Sequence, residues 1–406
     1  MPKPMPAAAD RRAVLEGNRT RKMARSAHAY VRGNTAQFYE WLAASPVARR
    51  VPTGPAIWIC GDCHLGNLGP IASADGQVEV QVRDLDQAVI GNPAHDLIRL
   101  GLSLATAARG SDLPGVTTAR MIEAMVEGYA AAIDDPKTDD TGPEPDAVRS
   151  VRKRALGRRW RHLAKERLEA IEPQIPLGRK FWALADDERA ALTAVFDDPA
   201  VARMILSLDR KDKEAARAIR LVDAAYWMKG CSSLGLLRFA AILELKSAKG
   251  RSSYAIVDLK EAVAPIAPRA AQSSTSADPM PADNAERVAA AARALSPYLG
   301  ARMIPVRMLG RSFFIRELAP QDLKIEVDQF SHGEAIKAGR YLAFVVGKAH
   351  ARQMDDATRQ RWLAMLEADR RGAIDAPTWL WDSVVSLAGA HEAGYLEHCR
   401  RYALAA

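Results

Sequence analysis

The stretch ICGDCHLGNLGP, residues 59–70, contains a C-x-x-C pair and a single aspartate, Asp62. A C-x-x-C pair can bind zinc or carry out redox chemistry. A structural zinc site needs a second pair of ligands, for which His398 and Cys399 are the obvious candidates. A thioredoxin-like pair stands at the start of a helix, whereas a hairpin pattern follows here. Both cysteine interpretations stay open, but the pattern favours Asp62 as the residue that carries the chemistry.

More polar side chains follow this stretch. Residues 68–84 predict a hairpin, because valines alternate with polar residues after the turn sequence SADGQ. Asn67 precedes the hairpin, and Asp84 and Asp86 come at its end. Carboxylate and amide oxygens suit Mg²⁺ that is bound together with nucleotide phosphates. The sequence therefore predicts a magnesium–nucleotide site in which Asp62 is free to accept a proton from a hydroxyl.

Two motifs carry a resemblance to a known superfamily. GDCHLGN, residues 61–67, resembles the catalytic loop of aminoglycoside phosphotransferases, a branch of the kinase-like enzymes with the pattern HGDxHxxN. DLDQAVIGNPAHDL, residues 84–97, resembles the metal-binding segment and the following helix of the same enzymes. The resemblance implies that Asp62 is the catalytic base and that Asn67 and Asp84 bind Mg²⁺.

Four nearby residues complete or modify this pattern. The resemblance implies that Asp96 braces the loop and that His64 supports it by hydrogen bonding. Cys60 stands where the pattern usually has histidine, which weakens the bracing role of that position. Asp86 stands where these enzymes often have glycine, and we expect it to add a metal ligand.

A kinase also needs a phosphate-covering loop and a lysine, which normally precede the catalytic loop. Residues 1–58 have a helical pattern instead, so we expect these elements downstream. Lys260 ends an apolar strand, much like the kinase lysine, and Glu286 on the next helix is its expected ion-pair partner. The expected phosphate-covering turn consists of Gly230, Ser232, Ser233 and Gly235.

The order of these segments is permuted relative to a conventional kinase. YLAFVVGKAHARQMD, residues 341–355, resembles the helix that directly precedes the catalytic loop in such enzymes. The same order of motifs resembles an uncharacterised bacterial family, a domain of unknown function with kinase-like motifs. The resemblance implies an α+β, bilobal, circularly permuted protein-kinase-like fold, with a small antiparallel β-sheet lobe and a large helical lobe. We expect a helical part with the catalytic loop at 1–222, a β-rich nucleotide-binding part at 223–332 and returning helices at 333–406.

The composition limits location and partners. The 406 residues carry a formal net charge of +8. No uncharged apolar run is long enough to span a membrane, and the start lacks a secretory pattern, so we expect a cytoplasmic protein without a membrane partner. The basic stretch 150–171 is either a solvated helix face or a surface for an anionic partner, and no nucleic-acid-binding motif accompanies it. Arg32 is a candidate to contact an anionic acceptor.

Together these residues predict an enzyme that binds ATP and Mg²⁺ and phosphorylates a hydroxyl of a small molecule or peptide. The same scaffold also fits transfer of a nucleotidyl (AMP) group, or nucleotide binding without turnover, as in a pseudokinase regulator. The presence of Asp62, Asn67 and Asp84 together favours turnover, since a purely structural protein has no need of all three. The sequence leaves the acceptor open.

Overall fold

The computed structural model of the chain shows a mixed α+β architecture, as the sequence predicts. It describes residues 10–73, 75–156, 158, 174–207, 216–230, 234–247, 252–270, 280–319, 321–323, 325, 330–370, 372 and 374–402.

The described residues form thirteen α-helices. None of these helices is both long enough and apolar enough to cross a membrane. In chain order they are α1 (Arg11–Met23), α2 (Ala27–Gly33), α3 (Thr35–Ala44), α4 (Pro93–Gly110), α5 (Gly115–Asp134), α6 (Asp146–Leu156), α7 (Asp186–Phe196), α8 (Pro199–Ser207), α9 (Asn284–Leu295), α10 (Pro297–Gly300), α11 (His332–Ala351), α12 (Asp356–Glu367) and α13 (Thr378–Tyr402).

Ten strands lie within the described ranges and form three antiparallel sheets. The strands are β1 (Ile57–Ile59), β2 (Leu68–Ala72), β3 (Val78–Val82), β4 (Val89–Gly91), β5 (Phe181–Trp182), β6 (Ala216–Trp227), β7 (Arg238–Ser247), β8 (Ser252–Glu261), β9 (Met303–Met308) and β10 (Arg311–Glu317). Strands β1 and β4 form one two-stranded sheet, and β2 and β3 form the predicted hairpin. The third sheet has the order β5-β6-β7-β8-β10-β9.

The two faces of the six-stranded sheet have different roles, because successive side chains of a strand point to opposite sides. Phe239 of β7 and Val257 of β8 lie in one apolar cluster with Phe196 of α7. Arg238 of β7 and Lys260 of β8 are direct cross-strand neighbours, and their side chains are on the opposite face of the sheet from Phe239 and Val257. One face is therefore covered by helices, and the other carries buried cations.

Four of these strands agree with the sequence prediction. Strands β7, β8, β9 and β10 lie within 223–332, the part that the sequence predicts to be β-rich. Residues 216–222 were expected to be helical, and this expectation is wrong because they belong to β6. Alanine and arginine favour helices locally, but pairing of β6 with β7 outweighs that weak preference.

Of the basic stretch 150–171, the structure describes residues 150–156 and 158, and the rest lies outside the described residues. Helix α6 covers the first of these residues, and its arginines form local ion pairs. Arg152 donates to the carboxylate of Glu144, and Arg149 donates to Asp146. These side chains are largely exposed, which fits a solvated helix face.

Helices α5 and α11 approach closely because glycines stand where their backbones meet. A Cβ at Gly128 of α5 would overlap the carbonyl oxygen of Arg340. A Cβ at Gly339 of α11 would lie 2.7 Å from the carbonyl oxygen of Met121. The pair of helices forms part of the large apolar cluster that also contains Ile59 of β1. The spacing of these helices thus depends on two residues without side chains.

We predict that Gly128→Ala destabilises the protein by about 1–3 kcal/mol, because the added methyl group forces the two helices apart. Gly110→Ala is the matched control, since a Cβ there meets no atom within 4 Å. Thermal or urea unfolding compares the two variants with the parent chain. Equal stability of the two variants would show that the close helix approach is not a constraint.

Candidate active site

The loop that carries Asp62 is fixed through its backbone. The Asp96 carboxylate accepts hydrogen bonds from the backbone N–H of Cys60 at 2.7 Å and of Gly61 at 3.0 Å. Gly61 has φ +72°, a conformation that favours glycine, and its carbonyl accepts a hydrogen bond from the Tyr39 hydroxyl at 2.6 Å. Asp96 therefore contacts the loop, for which the resemblance implied a bracing role of this residue.

Asp96 belongs to a buried network that joins four helices. Its carboxylate lies 3.2 Å from Nε2 of His350 on α11, and Nδ1 of His350 lies 2.8 Å from the hydroxyl of Tyr129 on α5. That hydroxyl also accepts a hydrogen bond from Nε1 of Trp362 on α12 at 3.1 Å. This role of His350 was not predicted from the sequence. Its position on the helix expected to lie next to the loop was the signal that could have found it.

Asp62 forms a buried ion pair. Its Oδ1 accepts a hydrogen bond from Nε of Arg99 at 2.9 Å, and the Arg99 side chain is fully buried. Arg99 also donates to the carbonyl of Val31. Burial raises the pKa of the Asp62 carboxyl, whereas the charge of Arg99 lowers it. The pKa of Asp62 stays above its ordinary value, but Arg99 offsets part of the effect of burial and so favours the carboxylate form.

His64 lies on the other side of the same carboxylate, with its Nε2 3.8 Å from Oδ2 of Asp62. Burial, together with the positive charges of Arg32 and Arg99, lowers the pKa of His64 well below its ordinary value. The imidazole is therefore neutral at pH 7 and can act only as a hydrogen-bonding group.

The predicted catalytic and metal-binding residues line one cleft of about 440 Å³. They are Asp62, Asn67, Asp84 and Asp86. Nδ2 of Asn67 donates to the backbone carbonyl of Asp62 at 3.0 Å, so the amide oxygen of Asn67 remains available as a ligand. The structure thus brings together the catalytic-loop residues and the acidic segment that follows the hairpin.

Lys260 contacts both acids of that segment. Its ammonium group forms an ion pair with Asp86 and lies 3.6 Å from Oδ1 of Asp84. Burial raises the pKa of Asp86, and the negative charge of Asp84 raises it further. Burial also acts to raise the pKa of Asp84, but the positive charges of Lys260 and Arg316 outweigh it and lower that pKa.

Two arginines extend the positive charge of the sheet face. Arg238 of β7 donates to both carboxylate oxygens of Asp258 on β8, and Arg316 of β10 donates to the same carboxylate at 3.1 Å. Both arginines line the cleft, and Asp258 is buried behind them. The sheet therefore presents cations from three neighbouring strands to the acidic segment.

The protein residues of the cleft can supply some, but not all, of the ligands that a magnesium ion needs. Among the residues that the structure describes, no three His, Cys, Asp or Glu side chains come together as a metal-ligand set. Mg²⁺, however, commonly takes one or two carboxylates and completes its shell with water and phosphate oxygens. Asp84, Asp86 and the amide oxygen of Asn67 supply such a set, and Oδ1 of Asp86 is buried without a hydrogen-bond partner.

Other predicted site residues have different positions. Gly230 lines the cleft with φ +108°, and its carbonyl accepts a hydrogen bond from Nζ of Lys22 at 2.7 Å. Gly235 also has a positive φ, +107°, but it is not among the residues that line this cleft. Ser232 and Ser233 lie outside the described residues.

Glu286 does not reach Lys260. Glu286 is exposed in the first turn of α9, whereas Lys260 forms ion pairs with Asp84 and Asp86. The next residue of the helix faces inward instead: Arg287 is buried and donates to the carbonyl of Asp86 at 3.0 Å. The predicted pair is therefore replaced by a contact one residue along the helix, because the helix orientation turns Glu286 to the surface.

The cysteines take no part in a metal site within the described part of the chain. Cys60 and Cys63 are free and buried. The hydrogen bond between the two thiols raises the pKa of Cys60 and lowers that of Cys63, whereas burial raises both, and both pKa values lie above their ordinary value. His398 and Cys399 contact helix α1 instead, at the carbonyls of Thr20 and Ala24. Of Cys60, Asp62 and Cys63, only Asp62 lines the cleft.

We predict that Arg99→Met destabilises the protein in a pH-dependent way. Burial raises the pKa of Asp62, and loss of the Arg99 charge raises it further above its value in the unfolded chain. The free energy of unfolding of the variant therefore falls as the pH rises above about 4. Urea unfolding should show a loss of about 3–5 kcal/mol at pH 7 and a smaller loss at pH 4.

The double variant Asp62→Asn, Arg99→Met is the control for this experiment. It removes the carboxylate that loses its partner, so it should recover part of the stability at pH 7 and lose the added pH dependence. A loss of equal size at both pH values, without recovery in the double variant, would contradict the ion-pair interpretation.

The fold and the cleft define a mixed α+β protein in which an acidic loop faces a cationic sheet. The chain belongs to the DUF2252 family, described as uncharacterized proteins conserved in bacteria, and the match covers residues 12–401. No curated protein and no solved structure matches the chain significantly.

Proposed function

We propose that this protein is a phosphotransferase that uses ATP and Mg²⁺ to phosphorylate a hydroxyl group of a small molecule or peptide. One observation carries the proposal. Asp62, Asn67 and Asp84 line a single cleft, and Lys260 reaches the acidic segment of that cleft from a strand about 170 residues further along the chain. Phosphoryl transfer needs positioning and charge neutralisation more than covalent chemistry, and these groups supply both.

Asp62 is the base in this proposal. Its carboxylate lines the cleft, and Arg99 holds it from the buried side and favours its ionised form. An acceptor hydroxyl next to Asp62 would pass its proton to the carboxylate while its oxygen bonds to the transferred phosphorus. His64 is neutral and would orient the hydroxyl or the carboxylate rather than compete for the proton.

The nucleotide phosphates are assigned to the sheet side of the cleft. Asn67, Asp84 and Asp86 would hold Mg²⁺, which neutralises phosphate charge when it is bound. Lys260, Arg238 and Arg316 bring positive charge to the same side from three strands. When the bond between the γ-phosphorus and the bridging oxygen breaks, the charge that develops on the leaving ADP is therefore next to cations.

The proposal also concerns the arrangement of the fold. We infer a circularly permuted, kinase-like scaffold, in which the antiparallel sheet with Lys260 acts as the nucleotide lobe. Helix α11 supports this inference, because it contacts the Asp62 loop through His350 and Asp96 although it lies near the end of the chain. A kinase-like enzyme has its corresponding helix directly before the loop.

We predict that Asp62→Asn lowers phosphoryl transfer about 10²–10⁴-fold and leaves nucleotide binding intact, because only proton acceptance is lost. Asp84→Asn should weaken the Mg²⁺-dependent part of ATP binding, which isothermal titration measures. Transfer is followed with γ-labelled ATP against antibiotics, sugars, polyamines and cell extract. Asp75→Asn, an exposed aspartate in the hairpin turn, is the matched control.

Three outcomes would contradict the proposal. The first is the absence of Mg²⁺-dependent ATP or GTP binding to the parent chain. The second is transfer that Asp62→Asn leaves unchanged. The third is label that stays on the product from α-labelled ATP, which would assign nucleotidyl transfer to the same cleft.

A further inference from the structure

Arg32 has an unusual position in the cleft. It lies on α2 and packs against the loop that carries Asp62, since a Cβ at Gly66 would be 2.9 Å from Cζ of Arg32. The glycine at position 66 thus leaves the space that the guanidinium group occupies. Nε of Arg32 is buried and has no hydrogen-bond partner.

The other arginines of the site have partners within the protein: Arg83 donates to backbone carbonyls, and the rest pair with acids. Arg99 is held by Asp62, and Arg238 and Arg316 share Asp258. Among the described residues, no carboxylate or carbonyl accepts a hydrogen bond from the side chain of Arg32. A partly buried guanidinium without an acceptor is costly, so a ligand that supplies one would be bound favourably there.

The surroundings leave the charge of Arg32 uncompensated. Burial, together with the positive charge of Arg32, lowers the pKa of the neighbouring His28 to about 4, so this imidazole is neutral at pH 7. His64 is neutral for the same physical reasons. In the lining of the cleft as a whole, seven lysine or arginine side chains face three aspartates.

The location of Arg32 separates it from the cations assigned to the nucleotide. Those cations project from strands of the sheet, next to Asp84 and Asp86. Arg32 lies on the helical side, against the turn between Asp62 and Asn67. A group bound by Arg32 would therefore be next to the proposed base rather than next to the magnesium ligands.

We propose that Arg32 forms an anion subsite for the acceptor, so that the acceptor is a hydroxyl compound that also carries a phosphate or carboxylate group. The fork of a guanidinium group matches both anions with two parallel hydrogen bonds. The assignment of this anion to the acceptor rests on the proposed phosphotransferase function. The anion subsite itself does not depend on turnover.

Isothermal titration of the full chain saturated with Mg²⁺ and a non-hydrolysable ATP analogue tests the proposal. Inorganic phosphate and acetate are the two probes. The probe that binds with the higher affinity shows whether the subsite prefers a phosphate or a carboxylate group. Arg32→Gln should weaken binding of that probe by about tenfold or more, because a charge-assisted pair of hydrogen bonds is lost. Arg32→Lys keeps the positive charge without the paired donors of the guanidinium group, so it should weaken probe binding less than Arg32→Gln does.

Two further measurements make the result specific. Arg25→Gln removes a charge from an exposed position that does not line the cleft, and it should leave probe binding unchanged. Binding of the nucleotide analogue should be the same in Arg32→Gln as in the parent chain, and thermal unfolding confirms that the variant is folded.

The outcomes separate this inference from the proposed function. Probe binding that is absent in the parent chain, or unchanged in Arg32→Gln, overturns the anion subsite. A loss of nucleotide binding in Arg32→Gln places Arg32 on the nucleotide side and overturns the acceptor assignment. If the analogue does not bind the parent chain, the phosphotransferase proposal fails, and titration of the nucleotide-free chain then decides whether Arg32 binds the anion.

Discussion

The contact between Lys260 and the acidic pair Asp84 and Asp86 determines how the sheet sits on the rest of the chain. The ammonium group is buried, and a buried charge without a partner is strongly unfavourable. Strand β8 must therefore lie against the segment that follows the hairpin. Arg287 reinforces this arrangement from helix α9 by donating to the carbonyls of Asp86 and Ala88. The cleft exists because the sheet is held at this place, opposite the loop with Asp62.

Much of the fold follows from local patterns. The hairpin β2–β3 was predictable because its turn sequence and its alternating valines agree. Four strands of the large sheet lie in the part, 223–332, that the sequence predicted to be β-rich. Strand β6 was not, because an alanine-rich segment carries no strand signal until β7 pairs with it. The close approach of α5 and α11 was also hidden, since a glycine in a helix says nothing by itself about which backbone it faces.

Some residues of the candidate site were also predictable from the sequence, and others were not. Asp62, Asn67 and Asp84 lie within two short motifs, and the resemblance of these motifs to those of known enzymes predicted that the three residues share a site. The strand-ending position of Lys260 was also a usable signal. Arg99 was missed as the partner of Asp62, although a charged residue inside the apolar run LIRLGLSLA was a sign that it must be paired. Glu286 was misplaced because spacing cannot give the rotation of a helix about its axis.

The hydrogen bond between Asp96 and His350 spans 254 residues of sequence, and it has a consequence for biosynthesis. The loop with Asp62 leaves the ribosome well before the helix that supports its brace, because His350 is made 254 residues after Asp96. Because chains emerge at about 5–20 residues per second, the loop spends many seconds without that support. The nascent chain therefore cannot assemble a finished cleft before helix α11 has been made, and any activity that the cleft has would begin only after that point.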